Sequence, residues 1–326
     1  MSDKCVLAID TSCYTTSVAV VDDRKKVRVD TRKVLTVPHG RLGLQQAQGV
    51  FQHVQNLPGL ILETWGEVPP DRITAVVSTA RPRPVNGSYM PVFTVGSAFG
   101  NSLASAMQVP FFESTHQENH IQAGIARSGL PYTEEFLVIH FSGGTSELLK
   151  VKRESGERRP FSINILGGTT DLCAGQFIDR VGVKLGFAFP AGPSLENLAG
   201  ECTGESTVTI PSSVQGYSVS FSGPETHAQR LIARGIEPKD ICRAVEKCIA
   251  ATLEKIVRKA VNEYGLRDVL FVGGVMANRY IKDRLVLRLE HPAVGARLHF
   301  CDPHYSRDNA VGAALIGLGF LAGTDV

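Results

Sequence analysis

Two histidines four residues apart, in His116-Gln117-Glu118-Asn119-His120, are the residues of this chain best suited to metal chemistry. On a helix, residues i and i+4 share a face one turn apart, so both imidazoles can reach one ion. A zinc-protease helix needs a glutamate directly after its first histidine to act as general base, and here that residue is Gln117. Glu118 stands two residues after His116, about 200° around the helix, and so points away from the pair. A third donor is required. Asp308 is the best candidate, in Tyr305-Ser306-Arg307-Asp308-Asn309-Ala310, where a loop meets a helix. An aspartate so placed also reads as a helix cap.

Three glycine-containing turns are the second chemical signal. Ser142-Gly143-Gly144-Thr145 lies between two apolar runs, where missing β-carbons let backbone amides approach an anion. Gly273-Gly274 follows the apolar run Val269–Val272 and precedes Asn278, a strand–turn–helix of the kind that seats an adenosine. Pro190-Ala191-Gly192-Pro193 opens a helical stretch carrying Glu196. Together they point to a nucleotide cleft.

The elements that must position these residues form two similar halves. Strands are expected at Cys5–Asp10, Thr16–Asp22, Val27–Val34, Ile73–Ser78 and Phe111–Glu113, and again at Phe136–Phe141, Glu147–Val151, Ile163–Leu166, Val269–Val272 and Arg297–Phe300. Helical patterns cover about Leu42 to Trp65, broken at Asn56-Leu57-Pro58-Gly59, a segment ending near Met107, and Thr115 to Arg127. Further helices are expected at Asp171–Leu185, Pro193–Ala199, Glu225–Ala233, Lys239–Tyr264, from Ala277, and at Asp308–Leu321. Each half opens with an apolar strand stopping at a small polar turn: Leu7–Ser12 and Val138–Thr145. This is an α/β duplication of mixed sheets around a cleft, similar to the actin, sugar-kinase and heat-shock-chaperone ATPase fold, with an ordinary doubly wound domain pair as the alternative. The expected division is 1–130 for a lobe carrying the metal-binding helix, 131–305 for a nucleotide-binding lobe, and 306–326 for a helix packing back on the first.

Composition narrows the class. The 326 residues are 43% hydrophobic and 20% charged with a net charge of +2, so no overall basic signature of a nucleic-acid binder is present. A local basic face of Arg81, Arg83, Arg127, Lys150, Lys152 and Arg153 remains an alternative to ordinary solvated surface. The start of the chain does not read as a signal peptide, and no apolar run is long enough to span a membrane. Seven cysteines without a CxxC pair argue against disulfides and thiolate zinc sites and for a reducing, cytoplasmic setting.

Together the segments resemble the tRNA N6-adenosine threonylcarbamoyltransferase family, formerly called O-sialoglycoprotein endopeptidase or glycoprotease. His116–His120 looks like its His-x-Glu-x-His, and Ser142-Gly143-Gly144 like its Ser-Gly-Gly turn. Gly167–Arg180 is similar to its Asp-Asp-Ala-Ala-Gly-Glu-Ala-Phe-Asp-Lys helix, and Pro190–Glu196 to Pro-Gly-Gly-Pro…Glu. Ser220–Gly223, Val272–Arg279 and Tyr305–Ala310 match Ser-Phe-Ser-Gly, Val-Gly-Gly-Val-x-Ala-Asn-Arg and Tyr-Cys-Thr-Asp-Asn-Ala. The resemblance implies iron or zinc on His116, His120 and Asp308, and ATP or a carbamoyl-adenylate on Ser142, Gly143, Gly144, Asp179, Gly192, Glu196 and Asn278. It further implies transfer of threonylcarbamoyl to the N6 of a tRNA adenosine, with tRNA and a second copy or related subunit as partners.

Four departures accompany it. The first turn reads Thr11-Ser12-Cys13-Tyr14-Thr15-Thr16 where the family reads Thr-Ser-Cys-Asp-Glu-Thr, so Tyr14 and Thr15 occupy its acidic positions. Thr145 follows Ser-Gly-Gly in place of a histidine or asparagine, and Gln176 replaces a glutamate. Arg81–Phe93 does not resemble the family's Gly-Pro-Gly stretch. The alternatives are a different acceptor, or a nucleotide-binding subunit without turnover.

Overall fold

The computed structural model describes residues 4–38, 40–154, 159–202 and 208–323. In chain order the first half holds strands β1 (Cys5–Asp10), β2 (Thr15–Asp22) and β3 (Val27–Val34), helix α1 (Gln46–Glu67), strand β4 (Ile73–Arg81), helix α2 (Pro91–Met107), strand β5 (Phe111–Thr115) and helix α3 (His116–Arg127). There follow β6 (Glu135–Phe141), β7 (Ser146–Arg153), β8 (Phe161–Gly168), α4 (Ala174–Lys184) and α5 (Gly192–Gly200). A short hairpin of β9 (Ser213–Gln215) and β10 (Ser218–Ser220) leads to α6 (Ser222–Ala233), α7 (Pro238–Tyr264), β11 (Asp268–Val272) and α8 (Arg279–Leu289). The chain ends with β12 (Arg297–Phe300), the one-turn α9 (Pro303–Ser306) and α10 (Val311–Ala322).

The two halves share one topology. The first sheet runs β3-β2-β1-β4-β5 and the second β12-β11-β6-β7-β8. In each, the first three strands form an antiparallel meander and the remaining two add in parallel beside the meander's first strand. Alternation sends Leu7 and Ile9 of β1 against α1 and α2, while Val6 and Ala8 face α10. In the second sheet Leu137, Ile139 and Phe141 of β6 pack into the core under α4–α8, and Phe136 and Val138 face Ile121 of α3.

Helices α3 and α10 therefore lie between the sheets, α3 on the second and α10 on the first. They cross closely where a β-carbon on Gly312 would collide with the Asn119 backbone carbonyl, and Gly124 lets α3 approach Val272 and Leu270. The Asn119 side chain ties the crossing: its Oδ1 accepts from Ala313 N (2.8 Å) and its Nδ2 donates to Asn309 O (2.5 Å).

Two sequence expectations are corrected. Helix α1 runs unbroken through Pro58. Pro58 is exposed, so the carbonyl it leaves unbonded, Val54 O, faces water, while Leu57, Leu60 and Ile61 are buried on the other face. Helix α4 starts at Ala174, because Asp171 turns its carboxylate onto Ser220 Oγ (2.5 Å) and Phe221 N (2.9 Å) and pins the β10–α6 junction. The alternative of a local basic face is weakened, since Arg81 pairs with Glu113, Arg83 with Glu147, Lys150 with Glu135 and Lys152 with Glu134. No disulfide forms among the described residues. No described helix is long and apolar enough to cross a membrane.

Candidate functional site

His116 and His120 open α3 at the joint between the sheets, both buried. Thr115 caps the helix, accepting from Glu118 N, and Glu118 Oε2 returns to accept from Thr115 N (2.9 Å) and Oγ1 (2.8 Å). Glu118 thus serves the helix start and faces away from the histidine pair. Asp308 lies 3.7 Å from His116 Nε2 and 3.4 Å from His120 Nε2. Neighbouring donors around a tetrahedral ion with bonds of about 2.1 Å stand roughly 3.4 Å apart, so the three side chains suit one ion. The alternative role of Asp308 as a helix cap falls to its neighbour: Asn309 Oδ1 accepts from Val311 N (2.9 Å).

Behind the pair is a residue the sequence reading passed over. Asp10, fully buried at the end of β1, accepts from His116 Nδ1 (3.0 Å), Asn119 Nδ2 (2.8 Å) and Ser12 N (2.7 Å). Burial pushes its pKa up, but the charge and hydrogen bond of His116 and the bonds from Ser12 outweigh this and hold it at about 2. A carboxylate on Nδ1 fixes the His116 tautomer and leaves Nε2 free to ligate.

A second missed residue is His140. It points to the same face of β6 as Phe136 and Val138, which α3 covers. Its ring lies 4.7 Å from that of His120 and 6.2 Å from that of His116. One ligand atom each from His116, His120 and His140 falls within 4.8 Å of the others. Both ring nitrogens of His120 and both of His140 are buried without a hydrogen-bond partner. Such orphans are costly, and a shared cation would satisfy one nitrogen on each ring. Burial first, then neighbouring imidazoles, lower the pKa of both rings and keep them in the neutral, ligating form. The residues present therefore fit a metal ion.

Two residues beyond His140 on the same strand is the glycine turn. Ser142 Oγ accepts from Gly144 N (3.3 Å) and Thr145 N (3.1 Å), closing the turn. Gly175 at the start of α4 packs against Gly143, leaving no room for a β-carbon on Gly175. A β-carbon on Gly143 would meet nothing within 4 Å, whereas one on Gly144 would stand 3.2 Å from Cys13 Sγ in the β1–β2 turn. The two hairpin turns thus face each other at close contact. Tyr14 extends this meeting, its ring edge-on to Phe189 with centroids 5.0 Å apart.

The remaining site residues are held by separate hydrogen bonds. Asp179 of α4 accepts from Ala191 N (2.8 Å), just before Gly192, which also faces open space. Glu196 accepts from Arg279 N (2.7 Å). Asn278 departs from expectation: its Oδ1 caps α8 through Ile281 N (2.9 Å) and its Nδ2 donates to Glu246 (2.7 Å), so most of its polar capacity is structural. Gly273, with φ of +97°, is also structural, since a β-carbon would collide with Phe141 and its carbonyl accepts from Ser306 Oγ (2.8 Å), anchoring the loop that carries Asp308.

Burial raises Asp179 to about 6, against 3.8 in an open chain, its one backbone bond opposing. Between these values the folded chain holds a proton that the unfolded chain has released, so stability falls as pH rises through the window. Above it the charged carboxylate costs roughly 2–3 kcal/mol. Asp179→Asn keeps an acceptor for Ala191 N. It should raise the melting temperature of the ligand-free protein by several degrees at pH 7.5 and by little near pH 4. An equal change at both pH values would contradict this.

Facing β-hairpin turns on two mixed sheets of identical topology place the chain in the actin, sugar-kinase and heat-shock-chaperone ATPase class of folds. Solved structures with this fold include full-length HypF in its phosphate- and nucleotide-bound form (TM-score 0.60, 15% identity, 98% of this chain and 56% of that one). A ROK-family glucokinase from Streptomyces griseus aligns with a TM-score of 0.54 at 12% identity, over 96% of this chain and 98% of that one. Sequence goes further than fold. The profile of the tRNA N6-adenosine threonylcarbamoyltransferase family matches residues 46–315. The protein of that name from Thermus thermophilus is 32% identical over 95% of this chain and 91% of its own length. That from Methanopyrus kandleri is 29% identical over 96% and 86%. The chain belongs to the tRNA N6-adenosine threonylcarbamoyltransferase family, a family of transferases.

Proposed function

We propose that the chain passes a threonylcarbamoyl group from an adenylate to the N6 amine of a tRNA adenosine, using a divalent metal, iron or zinc, at His116, His120 and Asp308. The observation that carries this reading is the continuity of β6. It brings the buried imidazole cluster and the Ser142–Thr145 turn within a few residues of each other, so that a bound adenylate could present its carbamoyl end to the metal donors. A metal ion held there would supply Lewis-acid polarisation of the carbamoyl carbonyl. The chain's own residues do the rest. Gly144 N and Thr145 N are engaged by Ser142 Oγ, so the Gly143 amide is the turn donor left for the adenylate phosphate, and open space over Gly143 and Gly192 admits the nucleotide. Asp10 holds His116 in register. On this reading residues 1–130 and 131–305 act as the two walls of the cleft, with 306–326 returning to the first.

Thermal melting tests the cleft. ATP at about a hundred times its Kd should stabilise the protein by about 2.7 kcal/mol. Gly192→Glu, which fills the open space with a charged side chain without backbone strain, should abolish the shift. A shift that survives would place the nucleotide elsewhere. The neutral first turn favours a second reading, transfer to another acceptor or nucleotide binding without turnover, and the Tyr14 and Thr15 variant discussed below separates these.

A further inference from the structure

We infer that His140 is a fourth protein ligand, so that the metal centre of this chain is built from three imidazoles and one carboxylate. The inference rests on the proposed metal at His116, His120 and Asp308, and extends it by a residue outside the His-x-x-x-His helix.

Three observations carry it. His140 is 1% exposed, and neither of its ring nitrogens has a hydrogen-bond partner. Its ligand atom lies within 4.8 Å of those of His116 and His120. Its neighbours on the same face of β6 are apolar, Phe136 and Val138, packed under Ile121 of α3. A histidine in that row is costly unless something satisfies it, since an apolar side chain would pack there without an orphaned donor and acceptor. The end of the row at the joint between the sheets is where the other two imidazoles converge.

The donor set has consequences for the metal. Three imidazoles beside one carboxylate disfavour magnesium and calcium and suit zinc, iron(II), cobalt(II) or nickel(II). Four protein donors complete a tetrahedral zinc shell and leave no position for a carbonyl, so with zinc the proposed polarisation needs expansion to five-coordination. A six-coordinate ion on the same donors keeps two positions open.

The test uses the full chain, stripped of metal and titrated with zinc(II) or cobalt(II) alone. His140→Leu removes the ligand and also the buried orphan nitrogens. It should weaken zinc binding, measured by competition with a chelator, at least about tenfold, and change the cobalt(II) ligand-field spectrum. The metal-free variant should melt no lower than the metal-free parent. Loss of affinity without loss of metal-free stability is a result that a purely structural histidine would not produce. X-ray absorption on the zinc-loaded parent should count three imidazoles, and needs no variant. Two imidazoles, or equal affinity and an unchanged spectrum in His140→Leu, would overturn the assignment and leave the three-donor site standing. A parent that binds neither metal would overturn the underlying site itself.

Discussion

Replacing both His116 and His120 by alanine is expected to reduce bound metal from about one ion per chain to a level indistinguishable from buffer. The remaining donors are Asp308, whose side chain is 19% exposed, and His140, and two donors do not hold a borderline divalent ion against a chelator. The parent, purified without a histidine tag, should retain its ion through gel filtration and lose it on acidification, as protons compete for imidazole. Removing metal from the parent should also lower its melting temperature, since an ion present at about a thousand times its Kd contributes about 4 kcal/mol to the folded state. The metal-free double variant is not expected to melt below the metal-free parent by more than its lost packing and the lost Asp308 contact require, because His120 brings an unpartnered Nδ1 into the interior. Equal metal content in variant and parent, by elemental analysis, would remove the site from the account.

The second large effect concerns the first turn. By the resemblance Tyr14 and Thr15 stand at the family's acidic positions, where neither side chain supplies a carboxylate. Burial raises the pKa of the Tyr14 hydroxyl above its ordinary value. Burial, with the charges of Asp308 and Asp10 next, raises that of the Cys13 thiol well above its own. Both are neutral at working pH, and a threonine hydroxyl cannot take a proton there. Loss of a general base typically lowers a rate by about 10²–10⁴. The double substitution Tyr14→Asp/Thr15→Glu is therefore expected to raise tRNA threonylcarbamoylation by at least about a hundredfold over the parent. It sacrifices the edge contact of Tyr14 with Phe189, worth about 0.5–1.5 kcal/mol, which is small beside that gain. A parent already as fast as the Thermus thermophilus relative would show that the turn needs no carboxylate. A double variant that binds nucleotide and metal yet stays as slow as the parent would favour a different acceptor or a binding role.

The parts of this structure that sequence made legible are those governed by local periodicity. The strands from β1 to β8 announce themselves through apolar runs and alternation, and the duplicated strand-then-polar-turn opening correctly implied two sheets of one kind. The His116/His120 pair was visible because helical spacing alone puts both rings on one side. What escaped depends on neighbours distant in the chain. Pro58 looked like a break because sequence cannot show that its freed carbonyl lies on the water side of α1. Asp171 looked like the start of a helix because its partners, Ser220 and Phe221, come fifty residues later. Asp10 and His140 sit in strands that read as apolar, and only the packing of α3 between the sheets turns them towards His116 and His120. A titratable residue inside an apolar strand, on the face that a histidine helix covers, was the signal available for His140. Asn278 shows the opposite case: a residue singled out for ligand contact is largely engaged in capping α8 and holding Glu246.

Nucleoside mass spectrometry of tRNA incubated with the metal-loaded protein and threonylcarbamoyl-adenylate tests the proposed reaction most directly. The parent should form N6-threonylcarbamoyladenosine slowly, the Tyr14→Asp/Thr15→Glu protein faster, and the His116→Ala/His120→Ala protein none. Unmodified tRNA from both the parent and the turn variant with the donor intact, or equal product from the histidine variant, would contradict the account.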